Sequence, residues 1–203
     1  MVRLTVGFDL DMTLIDSRPG VARAVDVVAA EFDLPVRGAD VMDKLGPPMP
    51  MLLAEAGLDA ELVPAFVARY REFYPSVVAE MPALPGAEAA LAAVVGHGGR
   101  VLVVTGKHTP FARLHMEHLG WQVDAVVGDL WAGAKSSALR EHGAHIFVGD
   151  HAGDMHGAKG ADALAVGVTT GPCDADELRA AGADVVLSDL TDFPAWLAER
   201  AVA

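Results

Sequence analysis

Short, unbroken apolar runs recur along the chain at Leu4–Phe8, Val101–Val104, Ala125–Val127, Ile146–Val148, Ala165–Val168 and Val185–Leu187. Runs without polar alternation are the pattern of strands covered on both faces. Between them, apolar positions follow helical spacing. Phe111, Leu114 and His118 share a face, with Thr109-Pro110 as a start and Gly120 as a stop. The stretches 136–142 and 176–181 end in the same way at Gly143 and Gly182. Strand and helix in alternation predict an α/β fold built on a doubly wound, parallel, Rossmann-like sheet.

One interval breaks the alternation. Between Asp16 and Met81 the pattern is helical, with no strand. Val21, Val25, Val28 and Phe32 fall on one helix face opened by Ser17-Arg18-Pro19, and Leu62, Phe66, Tyr70 and Phe73 on another. The expected organisation is a core of residues 1–16 and 83–203, with an α-helical domain of residues 17–82 inserted after the first strand. Pro82 and Pro85-Gly86 supply a stiff turn at re-entry.

Composition narrows the function classes. Hydrophobic residues make up 52% of the 203 positions and charged residues 21%, enough to bury a core and a small accessory module. No run has the length needed to span a bilayer. The net charge of −13 is spread along the chain and argues against nucleic acid and anionic membranes as partners. Asp9 and Asp11 cut the first apolar run short, which fits a strand better than a signal peptide. With Cys173 the single cysteine, a reducing cytoplasm is the expected location.

Ligands of an open parallel sheet sit beyond the carboxyl ends of its strands. After the first strand comes Asp9-Leu10-Asp11-Met12-Thr13, after the second Thr105-Gly106-Lys107, and after the fourth Gly149-Asp150-His151-Ala152-Gly153-Asp154. Lys135 opens a helix after the third. Clustered carboxylates offer hard oxygen ligands for Mg²⁺, while a Lys and a hydroxyl suit a phosphoryl group. Each piece has an ordinary reading by itself. An Asp pair can end a strand, Thr105 can cap a helix, Gly-Asp can be a plain turn, and a Lys at a helix start is normally solvated.

Taken in order, D-x-D-x-T, a strand-end Thr, a Lys and G-D-x-x-x-D resemble the motifs of the haloacid dehalogenase superfamily. Val6–Ser17, Leu102–Lys107, Val148–Asp154 and Gly167–Asp184 resemble its phosphoglycolate-phosphatase-type branch, which carries a small helical cap. The resemblance implies a phosphatase in which Asp9 attacks phosphorus and Asp11 acts as acid and base. It implies Mg²⁺ held by Asp9, the backbone carbonyl of Asp11, Asp150 and Asp154. Thr105, Gly106 and Lys135 would bind the phosphoryl group, and Thr13 would orient the loop. Within the implied cap, Leu45-Gly46-Pro47-Pro48-Met49 resembles a substrate-contacting loop, with Arg18, Arg23 and Lys44 as partners for a distal anionic group. Met12 departs from the pattern, because the family usually has Gly there, and a Met adopts a glycine-only conformation at a cost.

The expected partner is a small phosphorylated metabolite such as phosphoglycolate, a sugar phosphate or a nucleotide. Other readings are a sugar-phosphate mutase using the same Asp pair, a degraded relative that only binds a partner, and a phospho-accepting receiver domain with Asp129 as acceptor. The spacing of the aspartates and the length of the insert count against the last. His115 and His118 lack a third ligand for a metal site. His151 and His156 receive no role from the resemblance, and Cys173 lacks an activating neighbour.

Overall fold

The computed structural model describes residues 3–201. Strands β1 (Thr5–Phe8), β2 (Arg100–Val104), β3 (Ala125–Val127), β4 (Ile146–Gly149), β5 (Leu164–Val168) and β6 (Val185–Leu187) form one parallel sheet in the order β3-β2-β1-β4-β5-β6. The predicted runs and the observed strands coincide to within a residue or two. Side chains alternate across the sheet. Val101 and Val103 enter one apolar cluster with Phe8, Val148 and Val168, while Leu102 and Val104 enter another with Phe147 and Ala165. Helices α5 (Ala87–Gly96), α6 (Thr109–Leu119) and α10 (Phe193–Ala201) contribute to the first cluster. Helices α7 (Gly133–Glu141), α8 (Ala152–Gly160) and α9 (Ala175–Ala180) contribute to the second.

The chain leaves β1 toward β2 and β3 on one side and returns beside β1 as β4, so the winding reverses between β1 and β4. Register puts Phe8 level with Val103 and with Val148. The residues that follow those strands therefore converge at one edge, at a topological switch point.

Between β1 and α5 lie helices α1 (Arg18–Glu31), α2 (Ala39–Met42), α3 (Met49–Glu55) and α4 (Val63–Phe73), then a 3-10 segment at Tyr74–Glu80. They enclose a third apolar cluster that includes Val21, Val25, Val28, Phe66, Tyr70 and Tyr74. Two details depart from the predicted faces. Phe32 lies just past the end of α1 and is 41% exposed, and Leu62 precedes α4 and is 39% exposed. Both continue a helical spacing past the point where the helix has stopped. Helices α5 and α10 have weak signals in sequence. In α5 the Ala-rich stretch gives little contrast between faces.

Re-entry from the helices into the core turns on Gly86. Its φ is +81°, and a Cβ there would lie 2.3 Å from the backbone of Leu190 and Thr191. Gly57 has a similar φ of +85° with nothing near its missing Cβ. Gly86→Ala combines left-handed strain of about 1–2 kcal/mol with overpacking of about 1–3 kcal/mol; Gly57→Ala incurs the strain alone. Urea denaturation is expected to rank Gly86→Ala as clearly the less stable variant. Equal losses would show that the contact with 190–191 does not fix the re-entry.

Candidate active site

Asp9 extends the β1–β4 pairing by one bond, its amide donating to the Val148 carbonyl at 2.8 Å. The chain then folds into a tight loop. The Leu10 carbonyl accepts from the amides of Leu14 at 2.9 Å and Ile15 at 3.1 Å, and the Met12 amide donates to Ile15 at 2.8 Å. Met12 takes φ +59°, the left-handed conformation that a glycine would take without strain. Its carbonyl accepts from the Thr170 hydroxyl, and its side chain is buried in the cluster of inserted helices. Packing thus offsets the strain. The loop aims Thr13 inward, where its hydroxyl donates to Asp150 Oδ1 at 2.7 Å.

Lys135 sits in the first turn of α7 with no exposed surface. Its Nζ donates to Asp154 Oδ1 at 2.6 Å and lies 3.1 Å from Asp9 Oδ1. Asp154 is fixed from its other oxygen, which accepts from the His151 amide at 3.1 Å, while His151 Nδ1 accepts from Gly153 at 2.9 Å. This reciprocal cap starts α8, and gives His151 a structural task. Asp9, Asp150 and Asp154 are all buried, each with a carboxylate oxygen within 4.8 Å of the others. Only glycine fits beside them. A Cβ at Gly171 would come within 1.8 Å of Asp150 Oδ2, and one at Gly149 within 2.4 Å of Asp154.

The cluster is short of positive charge. Burial pushes Asp9 up to about 7; Lys135 opposes the rise, Asp154 and Asp11 add to it, and Thr105 opposes it. Burial also holds Asp150 well above the usual carboxylate range, with Asp154 and Asp9 adding to the effect. Burial works against the charge on Lys135, yet Asp154 and Asp9 outweigh it and raise its pKa. Asp9 Oδ1 and Asp150 Oδ2 are buried without a hydrogen bond. A compact set of hard oxygens with surplus negative charge and orphaned acceptors fits a divalent cation such as Mg²⁺.

Asp11 leaves this cluster and faces the other way, pairing with Lys107 at 2.7 Å. Both line a cavity of about 70 Å³ between the core and the inserted helices, closed by Leu45, Pro47, Met49 and Tyr70. Gly106 belongs to the same wall, where a Cβ would lie 2.6 Å from the Gly46 carbonyl. Thr105 is buried, and its hydroxyl accepts from the Lys107 amide at 3.2 Å. It does not cap α6, which starts after His108.

Of the implied substrate partners, Pro47 and Met49 line the cavity. The basic residues do not. Lys44 lies on the surface 3.9 Å from Glu55, and Arg23 pairs with Glu80. Arg18 is held by both oxygens of Asp16 at 2.8 Å and borders a separate recess with Met12, Thr170 and Gly171. The lysine and arginine that do line the cavity are Lys107, which ends the Thr105-Gly106-Lys107 run, and Arg71, which lies in no motif. Asp129 accepts from the Thr109 amide at 3.0 Å and lies 3.0 Å from His108 Nδ1, which ties it to the start of α6. His115 is buried against Tyr74, whereas His118 is exposed.

Known proteins resemble this chain in sequence and fold. The haloacid dehalogenase-like hydrolase family matches residues 6–159. A phosphoglycolate phosphatase of Caulobacter vibrioides is 30% identical over 94% of this chain and 89% of its own. Another from Rhodospirillum rubrum is 33% identical over 94% of this chain and 89% of its own. A predicted phosphatase from Clostridium acetobutylicum superposes with a TM-score of 0.84 at 26% identity, over 98% of this chain and all of that one. Motif order, sheet order and the match across most of the length agree: the chain belongs to the haloacid dehalogenase-like hydrolase family, in its phosphoglycolate-phosphatase-like branch.

Proposed function

We propose that this hydrolase is a Mg²⁺-dependent phosphomonoesterase that acts on a small phosphorylated metabolite through an aspartyl-phosphate on Asp9. The observation that carries the reading is the placement of Asp9. It is buried at the strand edge against Lys135 and the Asp150–Asp154 pair, with Asp11 two residues on and facing a separate cavity. The reading takes residues 17–82 as a cap domain over a core of 1–16 and 83–203. The names of the relatives favour a short ester of the phosphoglycolate kind.

In the proposed reaction, an Asp9 oxygen forms a bond to phosphorus as the ester P–O bond breaks, and Asp11 gives its proton to the departing oxygen. Asp11, now a carboxylate, takes a proton from the water that attacks the acyl phosphate, releasing phosphate and freeing Asp9. Lys135 and Thr105 would hold phosphoryl oxygens as charge redistributes. Asp9, Asp150 and Asp154, with the Asp11 carbonyl, would hold Mg²⁺. Bound there, the ion would neutralise charge on the nucleophile and the transferred group.

Hydrolysis of p-nitrophenyl phosphate is expected to require Mg²⁺, to stop with EDTA and to drop by about 10³-fold or more in Asp9→Asn. Free phosphate should be the product, whereas an isomeric sugar phosphate would indicate a mutase. Activity retained in well-folded Asp9→Asn would overturn the mechanism.

Gly171 offers a check on the cation that needs no turnover. A methyl group at this position must displace Asp150, so Gly171→Ala should weaken Mg²⁺ binding by about 10–100-fold in titration calorimetry. Unchanged affinity would remove Asp150 from the ligand set.

The raised pKa of Asp9 also predicts a pH effect on the metal-free protein. The folded state holds a proton up to about pH 7, while the unfolded chain releases it near the ordinary value of 3.8. Folded protein therefore binds more protons in that window, and stability falls as pH rises through it. In EDTA, Tm should decline between about pH 4 and pH 7, and decline less in Asp9→Asn. Identical slopes for the two proteins would contradict the assignment.

A further inference from the structure

Lys107 has no part in the chemistry above, and its surroundings give it one. Its Nζ lies 2.7 Å from Asp11 Oδ1, with the two side chains only 6% and 13% exposed. That carboxylate oxygen is itself buried. The ammonium also stands 4.9 Å from the centre of the Tyr74 ring, which belongs to the 3-10 segment of the inserted helices. Tyr74 is fixed by α6 in two ways. Its ring stacks on Phe111, with centroids 4.0 Å apart and planes 13° from parallel, and its hydroxyl is 2.8 Å from Nε2 of buried His115. From the other side, the Lys107 amide is tied to the Thr105 hydroxyl. The lysine thus lies between a packed aromatic face and one carboxylate. The nearest competitor on the cavity wall, Asp129, is already engaged by His108 and Thr109.

We infer that Lys107 is a positioning residue for proton transfer. It holds the Asp11 carboxyl toward the leaving oxygen and stabilises the negative charge that Asp11 gains in the transition state. This inference rests on the proposed aspartyl-phosphate reaction. The proton passes from Asp11 to the ester oxygen as the P–O bond breaks and the Asp9–phosphorus bond forms; Lys107 neither gives nor takes one. A charge that appears beside a fixed, poorly hydrated ammonium is stabilised more than it would be in water.

Leaving groups of graded basicity test the idea. p-Nitrophenolate departs without help, whereas the alkoxide of benzyl phosphate needs a proton as it leaves. Lys107→Met keeps the aliphatic stem and should reduce kcat/KM for benzyl phosphate at least about 10-fold more than for p-nitrophenyl phosphate, since acid catalysis contributes about 10²–10⁴-fold. Lys107→Arg should recover part of the difference. Asp11→Asn should show the same leaving-group signature, and Asp11→Asn/Lys107→Met should lose little more than Asp11→Asn alone.

A loss that is uniform across both esters, or additive in the double variant, would overturn the role. So would a KM increase confined to carboxylate-bearing esters, which would make Lys107 a substrate ligand. These outcomes are separable from failure of the underlying reaction. In that case Asp9→Asn would remain active, and the Lys107 results would have to be read without an Asp9 nucleophile.

Discussion

The structure depends on an ammonium that has no contact with solvent. Removing Lys135 from water carries an effective penalty of several kcal/mol, which only well-placed opposite charge can offset. That charge comes from Asp154 in the first turn of α8 and Asp9 at the end of β1. The requirement ties α7, α8 and β1 to one another through these two contacts. It also explains why Asp154 is anchored from behind by the cap of α8. A carboxylate free to rotate would leave a buried lysine unpaired. In the same cluster burial raises the pKa of Asp9 and of Asp150, and the neighbouring carboxylates add to the rise. Fold and site therefore share one electrostatic problem. Lys135 solves part of it, and a bound cation would solve the rest.

Bringing these groups together requires the backbone to come unusually close at a few points. Gly171 lies where any side chain would strike Asp150, and Gly106 where one would strike the Gly46 carbonyl. The first glycine opens room at the carboxylate cluster, and the second lets the inserted helices seat against the loop after β2. Met12 shows the opposite solution. It accepts a left-handed φ, and its long side chain packs among the inserted helices. The residue that strains the loop after β1 is thus also a contact between that loop and the inserted helices. A glycine there would relieve the strain and remove the contact.

Much of this was legible in the sequence, for physical reasons. Strands buried on both faces are continuous apolar runs, and polar residues directly after them have to lie at the sheet edge. That placed Asp9, Thr105 and Asp150 before any coordinates. Lys135 was harder, because a lysine early in a helix is normally solvated, and only its partners reveal the burial. Arg18, Arg23 and Lys44 are basic residues of the insert and therefore candidates for a distal anion; spacing does not reveal that Arg23 pairs with Glu80 or that Lys44 lies near Glu55. Lys107 follows the strand-end Thr105-Gly106 in sequence, and nothing in that motif marks it. Its function depends on Asp11 and Tyr74, which lie far from it in the chain and meet it only through the parallel pairing of β1 with β2 and the seating of the insert.

The division of charge between the two sides of Asp11 bears on how an acidic protein handles an anionic ester. With a net charge of −13, the long-range field repels such a substrate. Attraction has to be local. On the phosphoryl side, Lys135 is committed to two carboxylates and has little charge to spare until a cation joins it. On the cavity side, Lys107 and Arg71 line the wall together with apolar residues from the inserted helices. Lys107 is balanced by Asp11, which leaves Arg71, in α4, as the cavity cation outside any ion pair among the described residues. An anionic group remote from phosphorus would therefore meet uncompensated positive charge only where the inserted helices form the wall. On the proposed reaction, recognition of the organic part of the substrate would fall to the insert, and chemistry at phosphorus to the sheet edge, with Asp11 as the boundary between them.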